Sequence, residues 1–343
     1  MRERTLTLRE LNRATLARQL LLERRRLPVL RAVERLVGMQ AQWPPSPYIG
    51  LWTRVDGFRR ETLERLLRSG RVLKPAVMRG TLHLVTARDY PVFYAAFREM
   101  NTWFGPLHLE RAVASLDGVR ALLRDGPIGY TELLAHLRAA HPDLPEIDCR
   151  RMVHAARRHG HLLHARETAF WTTRPAARYE AYDEPEAVDA AGARTELVHR
   201  YLRGFGPATK ADISDWSGLR VRDFEHALDG LPTHRTEEGR MLYDVPRAPL
   251  PDGDAPAPVR FLPKWDNALL GFADRTRVMS DEIRKEVIGK NGDVAATFLV
   301  DGFVAGIWRT EAGRVRVEPF APMPHVWRRE VEDEAARLEA WLR

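Results

Sequence analysis

Three helices followed by a strand hairpin recur along this sequence. That order predicts a mainly α chain with β wings (α+β): three tandem winged-helix domains plus a C-terminal β-rich element. Two Gly-Pro junctions, Gly126-Pro127 and Gly206-Pro207, mark the same step in two copies of the pattern. From Val259 onward the pattern turns strand-rich, and Asp301-Gly302 between two apolar runs signals a hairpin. The units expected are residues 1–105, 106–180, 191–247 and 259–343.

In the first unit, residues 6–23, 29–42 and 61–69 read as helices, with 71–73 and 77–85 as the wing. In the second, a helix near 110–124 leads to Gly126-Pro127. Thr131 caps a helix over 132–140, and Asp148 caps a third that runs to His159 and ends at Gly160. Strands 162–165 and 169–173 flank a turn at 166–168. In the third, 195–203, 210–216 and 221–228 read as helices. Strands 233–235 and 241–245 flank Glu237-Glu238-Gly239. Stretches 174–192 and 248–258 are rich in Pro, Ala and Asp and read as linkers. The tail offers strands 259–262, 295–300, 303–308 and 314–317 and a terminal helix over 326–342.

The composition places the chain among ordinary globular proteins. Of 343 residues, 44% are hydrophobic and 29% charged, which argues against wholesale disorder. No apolar run approaches the roughly 18 residues of a membrane span, and Met1-Arg2-Glu3-Arg4 does not open a signal peptide. A single cysteine, Cys149, excludes an internal disulfide framework and a Cys-rich metal site. The expectation is an intracellular, soluble protein. The net charge of +7 is uneven: residues 1–100 hold 20 basic and 9 acidic side chains, net +11, and the rest is net −4. Such asymmetry points to a polyanionic partner. Only five of the 54 cations are lysine, a bias that GC-rich coding largely explains, although it does not explain the position of the excess.

None of the widely known enzyme motifs occurs: no P-loop, dinucleotide glycine motif, His-Glu-x-x-His or serine elbow. His154, His159, His161 and His164 fit no common zinc spacing, so neither metal nor cofactor is expected. Two segments stand out. Gln40 and Gln42 precede Trp43-Pro44-Pro45, so a helix ending near Gln42 leaves two amides at its frayed end. They share a side only where the chain turns extended; on the residues alone they read as solvated glutamines. In Arg79-Gly80-Thr81-Leu82-His83-Leu84, a strand would put Arg79, Thr81 and His83 on one face. That face is either the polar side of an edge strand or a wing pressed into DNA. On the third helix of the middle unit, Arg150, His154 and Arg157 share a face.

These residues resemble the winged-helix DNA-binding protein family that contains the AlkZ/YcaQ-type bacterial DNA glycosylases. The likeness runs through Leu36-Val37-Gly38-Met39-Gln40-Ala41-Gln42, Gly50-Leu51-Trp52-Thr53-Arg54 and Arg79-Gly80-Thr81-Leu82-His83-Leu84-Val85. In the tail it includes Asp266-Asn267-Ala268-Leu269-Leu270-Gly271, Asp274-Arg275-Thr276-Arg277 and Asp301-Gly302-Phe303-Val304. Gln-x-Gln is the catalytic motif of the AlkZ branch, which implies Gln40 and Gln42 as the catalytic pair. The YcaQ branch resembles Gln-x-Asp there. The resemblance implies a monofunctional glycosylase that excises bulky or cross-linking N7-alkylated purines, in repair or in self-resistance to a DNA-alkylating natural product. Its partner would be double-stranded DNA carrying those purines, with no membrane involved. The chain would act as a cytoplasmic monomer at the bacterial nucleoid.

On this reading Arg54 is a candidate DNA contact and Arg79 a candidate phosphate or minor-groove contact, with Thr81 and His83 on the wing near the lesion. Arg150, His154 and Arg157 offer a second DNA-facing set. Asp266, Asp274 and Arg275 form a polar group, read foremost as a structural ion-pair network. An N7-alkylated purine is already cationic and leaves neutral, so a site with a positioned water and no strong acid suits it. The alternative is a non-catalytic winged-helix DNA-binding regulator, which would need a helix that reads bases.

Overall fold

The computed structural model describes residues 3–98, 110–111, 114–158, 162–172, 177–183 and 188–343. The chain is a mixed fold of helices and short-stranded sheets. The first helix, Leu8–Arg18, starts at a capping box in which Thr7 and Glu10 satisfy each other's backbone amides. The strand Thr5–Leu6 precedes it and pairs in parallel with Thr233–Thr236, so the start of the chain shares a sheet with the third unit. Residue 6 therefore lies outside the helix expected over 6–23.

The helix expected over 29–42 stops at Arg35. Val37 (φ +57°) and Gly38 (φ +82°), both left-handed, turn the chain here, a conformation that glycine adopts at no steric cost. Met39–Gln40 then forms a strand, followed by a helix over Pro45–Trp52 that the sequence reading did not anticipate. Pro45 at the start of that helix loses no hydrogen bond, because its amide would be unpaired there. The helix Arg60–Arg68 and strand Val72–Leu73 fall where expected. The strand expected over 77–85 does not begin until His83. Met78–Gly80 is a tight 3-10 turn with Arg79 at φ +52°. His83–Thr86 is the central strand of a sheet, flanked by Met39–Gln40 and Val72–Leu73, both antiparallel to it. Tyr90–Phe97 is a further, unanticipated helix.

The middle unit runs Leu116–Leu122, Ile128–Gly129, Tyr130–Ala140, Glu146–Arg158, Leu162–His164 and Arg178–Ala181. Asp148 lies inside the first turn of Glu146–Arg158 instead of capping it. Arg166–Ala169 is a 3-10 turn, not the start of a strand; the returning strand is Arg178–Ala181, within the stretch read as linker. That strand lies between Ile128–Gly129 and Leu162–His164. The unit has its own apolar core around Leu133, Met152, Val153 and Tyr179.

The third unit holds Ala190–Phe205 and Lys210–Ser217, but 221–228 forms two 3-10 turns, Val221–Asp223 and Glu225–Leu228, instead of a helix. In the tail, Arg260–Leu262, Thr297–Val300, Phe303–Glu311 and Arg314–Pro319 form an antiparallel meander. Asp301 and Gly302, both at positive φ, make its tight turn. His325–Leu342 packs on this sheet through Val331 and Leu338, in a core shared with Leu36, Met39, Leu51 and Leu84. The tail is thus built into the N-terminal unit.

Candidate active site

The strand Met39–Gln40 is held from both sides. In the sheet, Gln40 lies opposite His83 and Met39 opposite Leu84, and the Ala41 amide donates to Leu82 O at 2.7 Å. From the tail, Asn267 Nδ2 donates to the carbonyls of Leu36 (3.1 Å) and Gly38 (2.5 Å), while its Oδ1 accepts from the Gln40 amide at 3.4 Å. One carboxamide thereby spans the whole turn from helix to strand. Asp266 caps the short helix Asn267–Leu270 by accepting from the Ala268 amide. It also holds Arg54 bidentately, at 2.8 and 2.7 Å. Arg54 in turn donates to Gln19 O and Gly50 O. Gly50 packs closely here: an added Cβ would lie 2.8 Å from the Met39 methyl, which would have to move aside.

The two glutamines differ. Gln40 is only 7% exposed and lines a shallow pocket with Ser46, Pro47, Trp265 and Asn267. Among the described residues, nothing hydrogen-bonds to its carboxamide. Gln42 is exposed, and its Oε1 accepts from the Leu82 amide at 2.8 Å. Because that partner is a donor, the network fixes which way the amide points and leaves its NH2 for other work. Trp265, at the pocket wall, holds φ +53°, a strained conformation for a bulky side chain.

His83 is buried, and its Nδ1 lies 3.0 Å from Thr81 O, so Nδ1 carries the proton. Burial, helped by the charge of Arg79, pushes its pKa down to about 3. It is a neutral imidazole at working pH and a poor base. Thr81 donates to Met78 O within the same turn. Arg79 does not share their face: its guanidinium donates to the carbonyls of Trp216 and Asp215, at the C-terminal end of Lys210–Ser217. The single-face arrangement expected of Arg79, Thr81 and His83 fails because residues 78–82 are not a strand.

Arg54 is 1% exposed and cannot reach a phosphate; its role as a DNA contact is replaced by the buried ion pair with Asp266. Asp266, Asp274 and Arg275 are not one constellation. Asp274 pairs with Arg240 at 2.6 Å and Arg275 with Asp215 at 3.3 Å. Burial pushes the Asp274 carboxyl up, but hydrogen bonds from Thr276 and Arg240 outweigh it and hold the pKa at about 2. On the helix Glu146–Arg158, Arg150 and His154 are exposed, and Arg150 is tied to Glu146. Arg157 turns inward over the Tyr179 ring, 5.6 Å from its centroid, and so leaves the outward face expected of it. His159 and His161 lie outside the described residues.

Sequence reasoning missed Asn267 and Trp265 as individual contributors. Asn267 was legible only as part of a tail segment, because the carbonyls it binds lie over 200 positions away.

The comparisons with known proteins agree with one another. The family model described as DNA glycosylase AlkZ-like matches residues 33–341. An interstrand DNA cross-link repair glycosylase of Streptomyces sahachiroi is 25% identical over 333 residues, covering 89% of this chain and 88% of that protein. The solved structure of the Streptomyces sahachiroi DNA glycosylase AlkZ has a TM-score of 0.81 at 21% identity, over 98% of this chain and 97% of that one.

Proposed function

The chain belongs to the AlkZ-like DNA glycosylase family, and from that premise we propose that it hydrolyses the N-glycosidic bond of N7-alkylated purines in double-stranded DNA, bulky and cross-linking adducts included. The observation that carries the reading is the contrast between the two glutamines: a Gln40 carboxamide at a pocket with no hydrogen-bond partner among the described residues, beside a Gln42 carboxamide already oriented by Leu82. As the C1′–N9 bond breaks and the base leaves neutral, the attacking water, hydrogen-bonded to the Gln40 carbonyl, bonds C1′ and loses its proton to solvent, while the Gln42 NH2 steadies the developing arrangement. No general acid is needed, because the alkylated base departs neutral. The carboxylate at the site, Asp266, has both oxygens on Arg54 and is not a base for water. His83, with its pKa near 3, is likewise excluded as a base at neutral pH.

The arrangement also favours the glycosylase over the regulator. Arg150 is tied to Glu146 and Arg157 is turned inward, so the helix Glu146–Arg158 presents a reduced set of groups to bases. The three helix-and-hairpin units are read as winged helices that lay this pocket against the duplex. The role in the cell would be repair of alkylated DNA, or self-resistance to an alkylating natural product.

Base release from a duplex oligonucleotide carrying one N7-alkylguanine, read by cleavage at the abasic site, tests the assignment. Gln40→Ala and Gln42→Ala should each slow release on the order of 10²-fold, the usual loss for one preorganised polar group. DNA affinity and the unfolding transition should stay near wild type. Release at the wild-type rate from the double variant would remove the glutamines from the mechanism.

A further inference from the structure

A cleft of about 860 Å³ lies where four segments meet: the helix Val29–Arg35, the turn at Arg88 and Asp89, the helix Ala190–Phe205 and residues 245–249. Six arginines line it against three carboxylates. Glu34 pairs with Arg31 at 2.8 Å. Asp89 and Glu196 both pair with Arg200 at 2.7 Å, and Glu196 lies 3.6 Å from Arg203. Among the described residues no carboxylate is left for Arg35, Arg88 or Arg247. Arg35 reaches the carbonyls of Arg18 and Ala17 only at 3.4 and 3.5 Å. Arg88 and Arg247 are exposed and have no hydrogen-bond or ion-pair partner among the described residues. Arg247 also holds φ +61°, a left-handed conformation that is uncommon for a residue with a long side chain.

Charge sets this cleft apart from its neighbours. A cleft of about 460 Å³ beside Leu6 and Leu242 holds two arginines against four carboxylates. Another, of about 560 Å³ beside Gly126 and Tyr182, holds two of each. One of about 500 Å³ around Arg9 holds a single arginine against four carboxylates. A lone exposed arginine says little, because water solvates it well. Three uncompensated guanidiniums lining one cleft from three segments act together, since low-dielectric walls focus their field on whatever enters. The planar guanidinium fork matches phosphate oxygens bidentately.

The cleft is also near the glutamines. Arg35 is five residues ahead of Gln40, so the two Cα atoms are at most about 18 Å apart, which along one DNA strand is about five phosphates. Arg88 is five residues beyond His83, the strand partner of Gln40. The positive excess of residues 1–100 points to a polyanion, yet Arg13, Arg18 and Arg54 are internal and Arg79 donates to backbone carbonyls. Arg31, Arg35 and Arg88 are among those that stay exposed, and this cleft collects them.

We propose that this cleft grips the phosphodiester backbone of duplex DNA to one side of the reacting nucleotide, with Arg35, Arg88 and Arg247 as its phosphate contacts. Arg88 comes from the first unit and Arg247 from the chain just after the third, so one stretch of backbone held there ties both to the same duplex. The inference rests on the reading of duplex DNA as substrate, and not on the glutamine chemistry.

The test is binding of the full chain to an undamaged DNA duplex over a salt series. Arg88→Gln combined with Arg247→Gln removes two exposed arginines that hold nothing in the protein, so urea unfolding should match wild type. In this variant the slope of log K against log salt should fall by about two, with affinity at low salt weaker on the order of 10-fold. Each single variant should lower the slope by about one, which keeps the test open should the combined variant fail to fold. The control, Arg314→Gln with Arg329→Gln, removes two exposed tail arginines for the same change in net charge and should bind as wild type does. An unchanged slope in the cleft variants overturns the proposal. An equal loss in the control also overturns it, because the effect would then be one of net charge. The duplex carries no adduct, so the result is independent of the glutamine assignment, which is read from base release by Gln40→Ala.

Discussion

Arg54 and Lys74 belong to the same N-terminal region and are both sealed from water, yet their surroundings are opposite. Arg54 spends its guanidinium on both oxygens of Asp266 and on two backbone carbonyls. Lys74 has a carbonyl and a hydroxyl, both of Thr168, and the Arg157 charge repels it. The first is a closed network that locks the tail to the N-terminal unit just behind Gln40. The second is an open one. Sequence position and charge do not separate the two; the count of satisfied donors does. The same contrast corrects the charge argument. Part of the N-terminal positive excess is internal, since Arg13, Arg18 and Arg54 are almost wholly buried.

The largest expected effect comes from opening the closed network. Asp266→Ala leaves Arg54 charged, buried and unpaired, and should cost about 3–5 kcal/mol in urea unfolding. The double replacement Arg54→Met with Asp266→Leu should recover most of that loss, because the remaining groups need no counter-ion. A loss under about 1 kcal/mol in Asp266→Ala would mean that the pair behaves as a surface bridge, and the contrast with Lys74 would collapse.

A smaller effect is expected from the clamp that this network supports. Asn267→Ala should slow base release by about 10- to 100-fold, the range expected when a supporting group near a reacting centre is misplaced. DNA affinity should be unchanged, because Asn267 touches protein backbone. Asn267→Asp keeps the acceptor but loses both donors, so it should not rescue the rate. Equal losses in affinity and rate would make Asn267 a general stabiliser instead of a positioning residue for Gln40.

The smallest effects are in pH. His83 is held neutral with a folded pKa near 3, below the usual value of 6.5. Between those values the unfolded chain binds a proton that the folded chain does not, so stability falls as pH drops through this window. His164, lowered to about 2, acts in the same direction. Acid titration of unfolding should therefore show a shallower decline in His83→Gln than in wild type. Single-turnover base release with DNA saturating should be flat from about pH 5 to 8, since neither glutamine titrates there. A limb near pH 6.5 that vanishes in His83→Gln would instead make His83 a working base.

The sequence alone determined the features that depend on near neighbours. Asp301-Gly302 turned the hairpin because two residues at positive φ suffice for it. The helices Arg60–Arg68, Lys210–Ser217 and His325–Leu342 fell where local pattern put them. The Gln-x-Gln motif and its family were readable as a string. Tertiary structure decided the rest. Gln40 is in a strand and not on a frayed helix because Gly38 turns the chain and His83, 43 positions later, supplies the pairing edge. Arg54 is support and not a DNA contact because Asp266, 212 positions away, closes on it. Local conformation is set within a turn of the chain, but burial and charge pairing are set by whatever the fold brings alongside, and no window of sequence contains both partners.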